Sequence, residues 1–274
     1  MKDIIIGDEH ARGKFKNIYE KIKDRKDIRY IISVGDYYDP YEAVTIEDRT
    51  TNFMHIVKIA RQDPRVKLLL GNHDMHYLIN TNEKSRMDIF NGQVISKLFF
   101  ENLDLFSLVI QLDKDTIVSH AGVSPVWMES NGYTSYESIN SSLKALVDDS
   151  DDGKNEDSYF RTREAMHYRE SLKYQRYLDY SGCGDEEHQP PTWIRPASLI
   201  QTEKNWECKT QIVGHTRTDA PEVKEYFLSP LNVENFDELK FEGDIETIKI
   251  KNSDKQIIMV DSGENLNTYL EFQS

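Results

Sequence analysis

Six side chains in this sequence can hold a cation through oxygen or imidazole nitrogen, and all stand at the ends of short apolar runs. Asp8 and His10 follow Ile4-Ile5-Ile6-Gly7, and Asp36 follows Tyr30-Ile31-Ile32-Ser33-Val34-Gly35. Asn72 follows Val66-Lys67-Leu68-Leu69-Leu70-Gly71, His120 follows Thr116-Ile117-Val118-Ser119, and His215 follows Gln211-Ile212-Val213-Gly214. Singly, each has a plainer reading: a hydrogen-bonded histidine at a strand end, or an asparagine forming a turn. Together, two carboxylates, one amide oxygen and three imidazoles suit a two-metal site. Hard oxygen mixed with imidazole favours Mn, Fe or Zn over Ca or a thiolate-bound ion. Two such ions about 3.5–4 Å apart clamp a phosphate and activate a water between them.

The elements that must position these residues are legible as strands and helices. Each apolar run reads as a buried strand, and the glycine that ends it lets the chain turn sharply. Phe15, Ile18, Tyr19 and Ile22 fall on one helical face, as do Phe53, Ile56, Val57 and Ala60. Thr45-Ile46-Glu47-Asp48 reads as a helix start and Pro64 as its close. Strands alternating with helices predict a parallel sheet, whose strand ends place their ligands at one edge. Residues 83–108 read as helical, and Thr134-x-x-Glu137 as a capping box opening a helix lined by Tyr136, Ile139, Leu143 and Leu146. The acidic run 148–158 predicts a loop, 161–180 a helix, and 181–191 a second loop. Residues 247–251 and 256–261 read as a hairpin about Asn252-Ser253-Asp254. A parallel part therefore comes first and a more antiparallel part closes the chain.

The chain has 274 residues, 38% of them hydrophobic, enough for one large core or two small ones. No apolar run is long enough to span a bilayer. The start runs straight into a strand, which argues against a signal peptide. Cys183 and Cys208 form neither a disulfide framework nor a metal pair, as expected of free thiols in a reducing cytoplasm. The formal net charge of -14 repels nucleic acid duplexes and anionic membranes. A phosphate substrate would need local positive charge, and bound metal ions supply it economically.

The ordered set Asp-x-His, Gly-Asp-x-x-Asp, Gly-Asn-His-Asp, Ser-His-Ala-Gly and Gly-His-Thr, from Asp8 to His215, resembles the calcineurin-like metallophosphatase superfamily. The lone histidine in Gly-His-Thr is similar to the serine/threonine phosphoprotein phosphatases and the bacterial symmetrical diadenosine tetraphosphatases. The resemblance implies an α/β fold, a four-layer sandwich of two mixed β-sheets flanked by helices. Residues 1–274 would then be one domain with an insert-like region at about 124–200. The resemblance also implies that Asp36 bridges two divalent metals, Asp8 and His10 hold the first, and Asn72, His120 and His215 hold the second. His73 would protonate the leaving oxygen, supported by Asp39. The chemistry agrees, since an aspartate has two oxygens with which to bridge, and a histidine that is not a ligand can act as an acid.

Two positions depart from the pattern. Pro40 stands where phosphoprotein phosphatases carry a phosphate-clamping arginine, and Arg217 where many members have a further histidine ligand. Arg195, in Trp193-Ile194-Arg195-Pro196, is the first candidate to replace the clamp, because Trp-x-Arg resembles the tetraphosphatase pattern. Arg217 is second, ahead of Arg12 and Arg49. The expected protein is a cytoplasmic phosphatase that hydrolyses phosphomonoesters, on phosphorylated proteins or small molecules, by direct attack of a metal-bound hydroxide. The alternatives are a symmetrical dinucleoside polyphosphate hydrolase, a phosphodiesterase or nuclease, and a metal-free interaction scaffold.

Overall fold

The computed structural model describes residues 1–78, 86–148, 184–218, 240–243, 247–252 and 254–273. The chain opens with β1 (Lys2–Ile6), α1 (Lys14–Ile22), β2 (Ile28–Ser33), α2 (Ile46–Gln62) and β3 (Val66–Leu69). α3 (Asn72–Leu78) and α4 (Gly92–Glu101) lead to β4 (Phe106–Ser107). β1, β2, β3 and β4 pair in parallel, as their crossover connections require. From β4 the chain passes through Leu108 into a second sheet. That half contains β5 (Val109–Gln111), β6 (Thr116–Ser119), α5 (Pro125–Ser130), α6 (Tyr136–Asp148), α7 (Pro196–Gln201) and β7 (Thr210–Val213). β8 (Lys240–Gly243), β9 (Ile248–Asn252), β10 (Lys255–Met259) and β11 (Leu270–Phe272) follow. The first sheet has the order β11-β1-β2-β3-β4, with β11 antiparallel to β1. The second has the order β5-β6-β7-β10-β9-β8, parallel through β6, β7 and β10 and antiparallel elsewhere.

Side-chain alternation along β1 shows how the layers stack. Ile4 and Ile6 pack with Phe15 and Ile18 of α1 and Phe53 of α2. Ile5 faces the other way, clustering with Ile32 and Leu69 and with Val118, Ile212 and Ile258 of the second sheet. Beyond that sheet, Val213, Ile257 and Met259 pack with Leu199 and Ile200 of α7. Three apolar interfaces thus separate four layers: two mixed sheets between flanking helices, as the motif resemblance implied.

Several expectations need correction. The strand ends that carry the candidate ligands belong to two sheets, not one: β1, β2 and β3 are in the first, β6 and β7 in the second. They still converge, because the parallel strands of both sheets point their C-terminal ends at one place. The helix expected over 83–108 is shorter. Asn102 bonds back to Leu98 O at 2.9 Å, a 3₁₀ turn follows at Leu103–Leu105, and β4 begins at Phe106. The cap of α6 lies one residue later than expected. Ser135 and Ser138 exchange bonds between backbone N–H and Oγ at 3.2 and 3.1 Å, while Thr134 stands outside the helix. Thr45 does accept from Asp48 N, at 3.1 Å, as the α2 cap. The hairpin at β9 and β10 is present, whereas β8 and β11 were not anticipated. Cys208 is buried and free. Cys183, the acidic run after Asp148 and the helix expected over 161–180 lie outside the described residues. No helix among the described residues is long and apolar enough to cross a membrane.

Ile212 is fully buried between the sheets. Ile212→Ala should lower the unfolding free energy by about 2–5 kcal/mol, through lost transfer energy and the cavity left behind. Urea unfolding measures it, and a loss below about 1 kcal/mol would contradict the sheet-on-sheet interface.

Candidate metal centre

The first group forms where β1 and β2 end. The ligand-capable atoms of Asp8, His10 and Asp36 lie within 4.8 Å of one another, and all three residues are buried. His10 Nδ1 donates to the Asp39 carbonyl at 2.7 Å, so Nε2 is left as a lone pair. That lone pair faces Asp36 Oδ2 at 3.6 Å and Asp8 Oδ2 at 3.9 Å. The second group joins β3, β6 and β7. His120 Nδ1 donates to the Val34 carbonyl at 2.8 Å, and its Nε2 faces Asp36 Oδ1 at 3.6 Å and Asn72 Oδ1 at 3.0 Å. His215 presents Nδ1 to the same Asn72 oxygen at 2.9 Å. Asp36 therefore turns one oxygen to each group.

At His10 and His120 these contacts set acceptor against acceptor, which a cation between them relieves, whereas His215 Nδ1 either donates to Asn72 Oδ1 or, in the other tautomer, shares a cation with it. The spacing fits one. Two donor atoms each about 2.1 Å from a common ion, at angles of roughly 90–120°, lie about 3.0–3.6 Å apart. The electrostatics agree. Burial chiefly pushes the His10 pKa down to about 4, although Asp8 opposes the shift. Burial likewise holds His215 well below the usual imidazole range, helped by the Arg195 charge, and pushes Asp36 well above the usual carboxylate range. Neutral imidazoles beside carboxylates stripped of water are the donor set that a divalent ion compensates.

The backbone is bent to make this arrangement. His10, Asp36 and His215 have φ of 45°, 59° and 61°, a region that non-glycine residues rarely adopt and that marks functional sites. A Cβ at Gly71 would collide with Asp36 Oδ1 and the His120 ring, and one at Gly214 with Asp8 Oδ1. Two buried carboxylates outside the ligand set fix the loops. Glu9 accepts from Gly13 N, Phe15 N and Asn52 Nδ2 at 2.6, 2.8 and 2.8 Å, tying the ligand loop to the start of α1. Asp74 accepts from Asp36 N, Tyr37 N and Gly71 N at 2.7, 2.8 and 2.8 Å, locking the β2 end to the β3 end. Burial raises its pKa to about 7 against these three donors. In the sequence its only signal is its place as the last residue of Gly-Asn-His-Asp, directly after His73.

His73 stands beside the candidate ligands with its ring centroid 5.3 Å from that of His10. Its Nδ1 pairs with Asp39 Oδ2 at 3.0 Å. Burial opposes charge on His73, but the Asp36 charge and the Asp39 bond outweigh it and raise the pKa. Asp39 carries two further partners that the sequence reading missed. His76 Nε2 lies 2.8 Å from Oδ2, and the Tyr77 hydroxyl donates to Oδ1 at 2.5 Å. They follow His73 on α3 by three and four residues, a helical spacing that puts all three on one face.

With this geometry in place, comparison with known proteins is decisive on family. The family model for calcineurin-like phosphoesterases matches residues 1–217. The chain belongs to the calcineurin-like phosphoesterase family. Members bind two divalent metals and hydrolyse phosphate esters. Two solved structures are similar to it. One is a protein serine/threonine phosphatase from Saccharomyces cerevisiae, with similarity to human phosphatase PP5. It is 19% identical over 46% of this chain and 39% of that one, with a TM-score of 0.32. The other is a metallophosphoesterase from Sphaerobacter thermophilus, 20% identical over 44% of this chain and 47% of that one, with a TM-score of 0.28. The chain thus spans less than half the length of either. No curated protein matches the sequence.

In this calcineurin-like phosphoesterase the arginines divide by side. Arg195 lies by the second group, donating from Nη1 to Thr216 Oγ1 at 3.0 Å and to the His215 carbonyl at 3.3 Å. Arg49 is paired with Asp88 at 2.6 Å. Arg12 and Arg217 lie on the His10 side, near Tyr41.

Asp36→Asn halves the charge between the two groups. It should lose at least one of two metals on loading with Mn and desalting, with the far-UV circular dichroism unchanged. Retention of two equivalents by elemental analysis would contradict a bridging role.

Proposed function

We propose that the protein is a dinuclear-metal phosphoesterase that removes the phosphoryl group of phosphomonoesters, on phosphorylated proteins or small molecules, without a covalent phosphoenzyme. The observation that carries this reading is Asp36, whose two oxygens each face a different buried imidazole at 3.6 Å. On this reading Asp8, His10 and Asp36 hold one ion, and Asp36, Asn72, His120 and His215 the other. When bound, the two ions neutralise phosphoryl oxygens and lower the pKa of a bound water. The chain's own residues do the rest. His73, oriented by Asp39, holds the proton that the departing oxygen takes. Arg195 grips a phosphoryl oxygen from the His215 side with its planar fork. The whole chain forms one phosphoesterase domain, with residues 124–200 as an insertion in it.

A panel of phosphopeptides, small monoesters, a dinucleoside polyphosphate and a diester, assayed with Mn, tests the substrate class. Turnover of the diester alone would overturn it. The leaving-group role gives a finer test. An alkoxide from serine needs a proton, whereas p-nitrophenolate hardly does. His73→Asn should keep both metals and lose about 10²–10⁴-fold on a phosphoserine peptide, but far less on p-nitrophenyl phosphate. Equal losses on both substrates would remove His73 from the leaving group.

A further inference from the structure

Every residue of α3 is buried, from the candidate ligand Asn72 to Leu78. One face of this short helix is turned to a single carboxylate. Asp39 is fully buried, and three groups converge on it. His73 Nδ1 lies 3.0 Å and His76 Nε2 2.8 Å from Oδ2, and the Tyr77 hydroxyl donates to Oδ1 at 2.5 Å. An ionised carboxylate only accepts, so each ring nitrogen facing it is a donor. The two imidazoles stand edge to face, with centroids 5.5 Å apart. The Tyr77 hydroxyl also accepts from Asp88 N at 2.9 Å, which leaves its one proton for Asp39. Asp88 is in turn anchored by Arg49 at 2.6 Å and by Asn91 N at 3.0 Å.

This is more than the His73 pair alone requires. The terminal torsion of an aspartate is broad, so a carboxylate with one partner can rotate about its Cβ–Cγ bond. Donors on both oxygens stop that rotation, because turning the plane would leave buried groups unpaired. Apolar side chains of similar volume commonly fill a core as stably as a buried charged network, so stability alone does not require one here. The Asp39 backbone is engaged separately. Its carbonyl accepts from His10 Nδ1 at 2.7 Å. The peptide group thus orients a candidate ligand, while the side chain orients His73.

We infer that His76 and Tyr77 are positioning residues for the leaving-group proton: they lock the Asp39 carboxylate, which holds His73 by Nδ1–H and leaves Nε2–H aimed at the departing oxygen. This rests on the phosphoesterase reading of the site and deepens it. Neither residue touches substrate; both act through Asp39 on His73. Removing either lets His73 swing, while His10, bound to the Asp39 carbonyl, stays in place.

Turnover of a phosphoserine peptide and of p-nitrophenyl phosphate by Mn-loaded variants tests the inference. His76→Phe keeps a ring and removes the donor. It should lower kcat on the peptide about tenfold with KM unchanged, since small misplacements of a reacting group are costly. On p-nitrophenyl phosphate, whose leaving group hardly needs a proton, the change should stay below about twofold. His76→Gln, which restores an N–H near the Nε2 position, should recover most of the loss. Tyr77→Phe removes one oxygen and keeps the packing, so it carries the same comparison if His76→Phe does not fold. In a His73→Asn background neither substitution should have a further effect, because the group that they position is gone. Equal losses on both substrates, or a loss that persists undiminished in His73→Asn, would make the role structural and overturn the inference. So would loss of a metal equivalent from His76→Phe, which would make Asp39, His73 and His76, with ligand-capable atoms within 4.8 Å of one another, a cation site. Proton–nitrogen NMR of the imidazoles in the Zn-loaded protein gives a readout without turnover. The His73 Nδ1–H should exchange with solvent at least about tenfold faster in His76→Phe than in wild type; unchanged exchange overturns the inference. Faster exchange in a protein that hydrolyses no phosphate ester contradicts the phosphoesterase reading alone.

Discussion

Lone pairs that face one another inside a protein repel, and here the chain turns several of them toward Asp36. His10 and His120 each spend one ring nitrogen on a backbone carbonyl, of Asp39 and Val34. The other nitrogen is thereby committed to accept. A cation between them makes that commitment favourable, and the surrounding structure holds the acceptor cluster in place. Glu9 and Asp74 fix the loops from behind with backbone bonds. His215 N donates to Asp8 Oδ1 at 3.1 Å, joining the ends of the two sheets directly.

The same constraint explains the backbone. Strands of both sheets must bring side chains within a few ångströms of one point, so the chain turns immediately after each strand. The cost appears as positive φ at His10, Asp36 and His215 and as glycines with no room for a Cβ. Strain of this kind costs about 1–3 kcal/mol per residue. It survives because three apolar layers, including the Ile5–Ile212 interface, over-determine the positions of the strands. Stability and function thus meet at the strand ends.

Much of this was legible in the sequence, for definite reasons. Strand runs ending in glycine and a polar residue announce themselves locally, and so do the faces of α1 and α2. The six ligand candidates were therefore readable by residue type and position. The partition into two sheets was not readable from strand order alone, because parallel pairing of β1 with β2 and of β6 with β7 leaves no local mark of which sheet a strand joins. Family resemblance implied two sheets but not which strand joins which. Contacts between segments distant in sequence were also hidden. His76 and Tyr77 share a face of α3 with His73, already paired with Asp39, but nothing near Tyr41 announces Arg86 or Arg217. The cap of α6 shifted by one residue because serine can serve at either capping position, as Ser135 and Ser138 do.

Anomalous diffraction from crystals of the Mn-loaded protein addresses the central claim most directly. The account predicts two peaks about 3.5–4 Å apart on either side of the Asp36 carboxylate. One would contact Asp8 and His10, the other Asn72, His120 and His215. A single peak there, or a peak held instead by Asp39, His73 and His76, whose ligand-capable atoms also lie within 4.8 Å of one another, would contradict it.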